Sequence, residues 1–202
     1  VARMHGAMAA LGYDPDRLVV ILMQLVRLFQ GGEMLRMSKR TGQYVTLDEL
    51  LDEVGEDAAR FFFVMRSADS HLDFDMDLAK SESAENPVYY VQYAHARIAS
   101  ILRQAAELGY ASPDLNATNL ELLTDPSELE LIRKLADFPE VVAGAAEAME
   151  PHRLPRYAQE LATLFHAFYT NCRVLIQDDA LRAARMVLTD ATRITLRNLL
   201  GL

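Results

Sequence analysis

Asn86-Pro87 opens a long helical pattern in which no breaker follows until Gly109. An asparagine side chain accepts hydrogen bonds from the first free N–H groups of a helix. Proline at the next position gives up only an N–H that has no partner there. Glycine at the far end suits a left-handed stop. A helix this long needs partners for its apolar face, and the sequence supplies them. Residues 111–125 form a linker rich in Ser, Pro, Asn, Asp and Thr. Helices are then expected at about 127–137, 139–149, 152–170 and 178–200. Pro139, Pro151 and Pro155 fall near helix starts, where a missing N–H costs little. Residues 86–202 are therefore expected to form an all-α bundle.

The first part has a different character. Residues 2–11 carry helix formers, and 13–16 signal a turn. Residues 18–29 are continuous, apolar and partly β-branched, which predicts a buried strand of a parallel sheet. Gly31-Gly32 breaks that run, and 33–44 reads as a polar, basic loop. Thr46-Leu-Asp-Glu49 matches a capping box and predicts a helix ending at Gly55. A second short helix is expected over 57–65, with Phe61, Phe62 and Phe63 partly buried, and 67–77 as extended or looped chain. The resulting division is 1–45, 46–85 and 86–202.

With 51% hydrophobic and 24% charged residues, the composition is that of an ordinary globular chain. The net charge of -9 argues against coating nucleic acid, because phosphate contacts need Lys and Arg. The first 44 residues nevertheless carry Arg3, Arg17, Arg27, Arg36, Lys39 and Arg40 against Asp14, Asp16 and Glu33, so a local basic surface is available. A single cysteine, Cys172, excludes an intrachain disulfide and fits a reducing compartment, so a cytoplasmic location is expected. No apolar run reaches the ~20 residues that span a bilayer. Val1-Ala2-Arg3-Met4 reads like the middle of an element, and a fragment of a longer protein is expected.

Two constellations carry chemistry. Arg36-Met37-Ser38-Lys39-Arg40 follows the glycine pair and precedes a helix. It is either a solvated basic turn or a mobile cationic flap that neutralises charge on a triphosphate during displacement at phosphorus. Tyr90, Tyr93 and Arg97 lie at i, i+3 and i+7 of the long helix, on one face. They are either amphipathic core residues with hydroxyls at the rim, or aromatic platforms and a guanidinium for unpaired bases and a phosphate. His95, in the same stretch, is expected to make a helix-packing hydrogen bond. Asp179-Ala-Leu-Arg182 should lie near the start of the last helix, with Asp179 offsetting the macrodipole and Leu181 in the core. Phe165, Phe168 and Cys172 recur at core spacing, and Cys172 has no activating partner. Asp73-Phe-Asp-Met-Asp77 alternates like a calcium loop but lacks the glycine and the final bidentate acid, so a solvated edge or loop is expected. The histidines show no metal spacing, and no metal site is expected.

The pentapeptide resembles the Lys-Met-Ser-Lys-Ser signature of class I aminoacyl-tRNA synthetases, with Arg36 and Arg40 departing from it. The stretch Tyr90-Val-Gln-Tyr-Ala-His-Ala-Arg97 is similar to the opening of the anticodon-binding domain of arginyl-tRNA synthetases. Asp179-Ala-Leu-Arg182 matches the tetrapeptide that gives that domain its common name. The resemblance implies a mainly α chain, in which an all-α anticodon-binding bundle follows the remnant of an α/β, Rossmann-like nucleotide-binding domain. It implies a catalytic role for Lys39 and Ser38, and ATP contacts from Arg36, Met37, Ser38, Lys39 and Arg40. It implies tRNA contacts from Tyr90, Tyr93 and Arg97. The substrates would be ATP with Mg2+, arginine and arginine tRNA, handled by a monomer away from membranes. The histidine motif such enzymes carry early in the nucleotide-binding domain is absent, so this chain alone is expected not to form arginyl-adenylate. Two alternatives remain: another class I synthetase, notably the cysteine-specific one, or a non-catalytic tRNA-binding or scaffold module.

Overall fold

A computed structural model of the chain describes residues 1–35 and 45–201. The expected ATP contacts Arg36, Met37, Ser38, Lys39 and Arg40 lie outside the described residues.

Helix α1 (Ala2–Ala10) comes first, followed by strands β1 (Val26–Gln30) and β2 (Glu33–Met34). Helices α2 (Leu47–Val54) and α3 (Glu56–Val64) precede β3 (Leu72–Asp75) and the short α4 (Met76–Lys80). Five longer helices complete the chain: α5 (Pro87–Glu107), α6 (Pro126–Ala136), α7 (Phe138–Ala148), α8 (Arg153–Asn171) and α9 (Asp179–Leu200). No described helix is long and apolar enough to cross a membrane.

The helix boundaries follow their local signals. Thr46 accepts from the Glu49 N–H while the Glu49 carboxylate accepts from the Thr46 N–H, so the capping box closes as expected. Gly55 ends α2 at φ 82°, a conformation that a side chain would strain. Gly109 does the same beyond α5 at φ 79°. The last helix carries Asp179 in its first turn, as the sequence suggested. Asp178, not Asp179, accepts from the N–H groups of Ala180 and Leu181.

The continuous apolar run forms far less strand than expected. Only Val26–Gln30 is extended in a sheet, with order β2-β1-β3; β1 is parallel to β3 and antiparallel to β2. Residues 18–25 have no regular structure, and Leu22, Met23 and Leu25 are 70%, 75% and 81% exposed. An apolar run becomes a buried strand only when sheet neighbours satisfy its backbone and a second layer covers its side chains. Among the described residues, the backbone tie from this segment to the rest of the fold is the Gln24 N–H to the Ala68 carbonyl, at 2.9 Å, while the Leu18 N–H closes only a local turn onto the Pro15 carbonyl. The acidic alternation over 73–77 has a simple explanation. β3 is an edge strand whose Leu72 and Phe74 point inward while Asp73 and Asp75 point out, and Asp73 forms a bidentate pair with Arg27.

Two cores hold the chain. One joins Leu28 of β1 to Leu50, Phe62, Leu72, Phe74 and Met76. Phe62 is fully buried there, and Phe61 and Phe63 are partly so. The other begins at Val91 and runs through Ile98, Leu131, Leu161, Phe165, Phe168, Ala184 and Leu196. Each large side chain of this kind contributes about 1.5–3 kcal/mol on burial. Helix α5 enters both, since Val88 belongs to the first core and Val91 to the second. Its entry angle is fixed by Asn86, which is 2% exposed. The Asn86 Oδ1 accepts from the Val88 and Tyr89 N–H groups, and its Nδ2 donates to the Ala79 and Ser81 carbonyls. That one side chain ties the end of α4 to the turn that carries the tyrosines.

Candidate nucleic-acid interface

Helix α5 turns its first two exposed turns toward α8, and the aromatic residues sort by depth. Tyr90 is half-buried and packs against the bundle core. Its ring meets His166 edge-on at 5.0 Å, and its hydroxyl donates to Thr163 Oγ1 at 3.4 Å. Tyr93 is 41% exposed and stacks in parallel on Tyr89, with centroids 6.2 Å apart and planes 15° from each other. The Arg97 guanidinium sits 4.7 Å from the Tyr93 ring and 4.7 Å from the Tyr169 ring, and donates to the Tyr93 hydroxyl. Tyr90, Tyr93 and Arg97, which the sequence put on one stripe, are therefore together in space but differ in environment. Tyr93 and Arg97 form an open rim, whereas Tyr90 is a wall.

Tyr89, Tyr90, Tyr93, Arg97, His166 and Ala84 enclose an open cleft of about 440 Å³. Flat aromatic faces beside a guanidinium can accept a planar base and an anionic phosphate. Pinning Arg97 between two rings removes side-chain freedom before any ligand arrives, which lowers the ordering cost of binding.

Two cleft residues, Tyr89 and His166, and Tyr169, which reaches the site through Arg97, were not among the residues expected from the sequence. The stretch over 164–174 was read for its core residues, and Phe165, Phe168 and Cys172 are indeed buried. His166 and Tyr169 lie three residues apart on the same helix, just off that apolar stripe. Polar aromatics at such spacing were the available signal.

Two imidazoles in this region are buried with an unpartnered nitrogen. His95 Nε2 is buried without a hydrogen-bond partner, so the expected packing hydrogen bond is absent at that atom. His166 Nε2 is buried and unpartnered too. Burial, and then the nearby Arg97 charge, hold His166 below the usual imidazole value of 6.5. Burial, with Arg193 and Arg197, does the same to His95. The unfolded chain takes up these protons as pH falls through about 6.5, while the folded chain refuses them until lower pH. Stability is therefore fully present above that value and declines as pH drops toward the lowered folded values. Denaturant titrations at successive pH values should show His166→Phe losing part of this decline relative to the parent chain. Coincident slopes would mean that folding does not disfavour the charged ring.

The tetrapeptide at the start of α9 is structural. Arg182 pairs with Asp179, donates to the Ile176 carbonyl at 2.7 Å and lies 3.7 Å from the Tyr110 ring. It thus fastens the 174–178 connection, and Tyr110 just before the 111–125 linker, to α9. Leu181 packs against the core as expected. Burial pushes the Cys172 thiol up, which suits an inert core residue.

Comparison with known proteins adds a family. The model described as DALR anticodon binding domain matches residues 91–202. An arginine–tRNA ligase of Moorella thermoacetica is 68% identical over 202 residues, covering 100% of this chain and 36% of its own length. One from Heliobacterium modesticaldum is 65% identical over 204 residues, covering 99% and 36%. Among solved structures, the arginyl-tRNA synthetase of Thermus thermophilus superposes with a TM-score of 0.73 at 29% identity, covering 98% of this chain and 37% of that one. The chain spans about a third of the length of the curated relatives it matches.

Proposed function

The chain belongs to the DALR anticodon-binding domain family, and from that premise we propose that it is part of an arginine–tRNA ligase and holds the anticodon loop of arginine tRNA. The observation that carries this reading is the open cleft on α5, where Tyr89, Tyr93 and Arg97 present ring faces and a guanidinium to solvent. In the proposal, an unstacked anticodon base lies on Tyr93, Arg97 takes the adjoining phosphate, and Tyr90 supports the platform from within. The relatives' names and the match over 91–202 support the assignment to arginine.

The proposal extends to the rest of the chain. Residues 1–45 are assigned to the end of a Rossmann-like nucleotide-binding domain, 46–85 to a connecting helical region, and 86–202 to the anticodon-binding bundle. Lys39 would stabilise the phosphate charge that develops when ATP is attacked by arginine, with Ser38, Met37, Arg36 and Arg40 assisting. Mg2+ would accompany ATP as part of the substrate. The reaction itself belongs to the longer protein, acting as a cytoplasmic monomer.

Tyr93→Ala tests the cleft. If a base stacks there, tRNA affinity falls by about 1–3 kcal/mol, with the melting temperature unchanged because the ring is at the rim. A filter-binding titration alongside thermal unfolding distinguishes the outcomes. Unfolding of the variant, with no separate loss of affinity, would return Tyr93 to the role of a packing residue.

A further inference from the structure

We propose that the groove between α5 and α8 holds a second ribonucleotide subsite beyond the Tyr93 cleft, built from Tyr169, Gln104, Thr170 and Arg173. The inference rests on the anticodon reading above and refines it.

Tyr169 is the partition. Arg97 covers its ring at 4.7 Å on the side of the first cleft. It also lines a separate hollow of about 360 Å³. The floor of that hollow includes the buried Ile101 and Val174, and its rim carries Gln104, Thr170 and Arg173. Each part matches one part of a nucleotide. An apolar floor accepts the face of a base. The Gln104 amide, exposed on α5, offers a donor and an acceptor to one base edge. The Thr170 hydroxyl already donates to the His166 carbonyl at 2.8 Å, so its lone pairs remain as acceptors for an exocyclic amine or a 2′-hydroxyl. Arg173 is exposed, and among the described residues its guanidinium makes no ion pair. Its backbone is held in place, because Arg185 Nη1 donates to the Arg173 carbonyl at 2.8 Å.

A purely apolar ligand would leave the amide, hydroxyl and guanidinium unused. A nucleotide engages all three. Arg97 and Gln104 are seven residues apart on one helix, about 10 Å along its axis. A strand crossing both hollows must therefore run extended, with Tyr169 standing between successive bases. Sequence-tolerant stacking in the first cleft and an edge-reading amide in the second would divide affinity from base choice.

The test uses fluorescence anisotropy with the chain and a stem-loop RNA bearing the arginine anticodon. Arg173→Ala should weaken binding about tenfold, the scale of one charge-assisted hydrogen bond, and should reduce the salt slope by about 0.7. Gln104→Ala should lose discrimination at a single loop position, and an abasic nucleotide there should make it equal to the parent chain. Parent-like binding by both variants, while Tyr93→Ala is weakened, overturns the second subsite and leaves the anticodon reading intact. So does a Gln104→Ala effect that persists on the abasic RNA. Failure of the parent chain to bind the stem-loop overturns both.

Discussion

Replacing Glu128 with alanine is expected to cost about 3–5 kcal/mol of folding stability, the range found when one partner of a buried ion pair is removed. Glu128 is 1% exposed. One carboxylate oxygen accepts from Arg185 Nε at 2.7 Å, and the other accepts from the Asp125 N–H at 2.9 Å. The same side chain thus caps α6 and links it to α9. Truncation leaves the Arg185 guanidinium, itself little exposed, without its anion, and orphans a backbone donor at the helix start. For a chain of this size the loss corresponds to a fall in melting temperature on the order of 10 °C. The double variant Glu128→Leu with Arg185→Met should be less damaged than Glu128→Ala alone, since replacing both charges removes the uncompensated one. A single variant within about 1 kcal/mol of the parent would place the pair in the class of solvated surface bridges.

The second large effect is catalytic and concerns the longer ligase. Lys39→Ala is expected to lower the rate of arginyl-adenylate formation about 10²–10³-fold, the scale of removing one preorganised charge-stabilising donor. ATP affinity should change far less. The ammonium is proposed to meet charge that develops only as the phosphorus is attacked, and contacts made only in the transition state act on kcat. Single-turnover ATP consumption at saturating and limiting ATP separates the two quantities. Equal losses in rate and affinity would make Lys39 a uniform binding residue.

What a reader of the sequence could locate was set by distance along the chain. The capping box at Thr46, the Asn86-Pro87 start and the stop at Gly109 all act through hydrogen bonds or torsions within a few residues, so residue order alone discloses them. The bundle helices follow, because the 3.6-residue period of their apolar positions is also local. At the start of α9, Asp178 and Asp179 are chemically equal candidates for the cap. Only the backbone decides which carboxylate faces the free N–H groups.

The candidate site divides along the same line. Tyr90, Tyr93 and Arg97 sit on one helix, so their proximity was legible. That Tyr90 is a wall and Tyr93 a rim was not, since burial depends on where α8 lies. His166 and Tyr169 come from a helix more than sixty residues away. The Glu128–Arg185 pair spans 57 residues and was invisible for the same reason. The apolar run over 18–25 marks the opposite failure. Its composition is that of a buried strand, but composition does not supply the neighbouring strands that would bury it.

The sequence by itself determined the helices, their ends and the residue types on each face, because these obey short-range sterics and hydrogen bonding. The tertiary structure alone decided which faces meet, which tyrosine stays open to solvent and which charges are paired, because those outcomes depend on water being excluded between segments far apart in the chain.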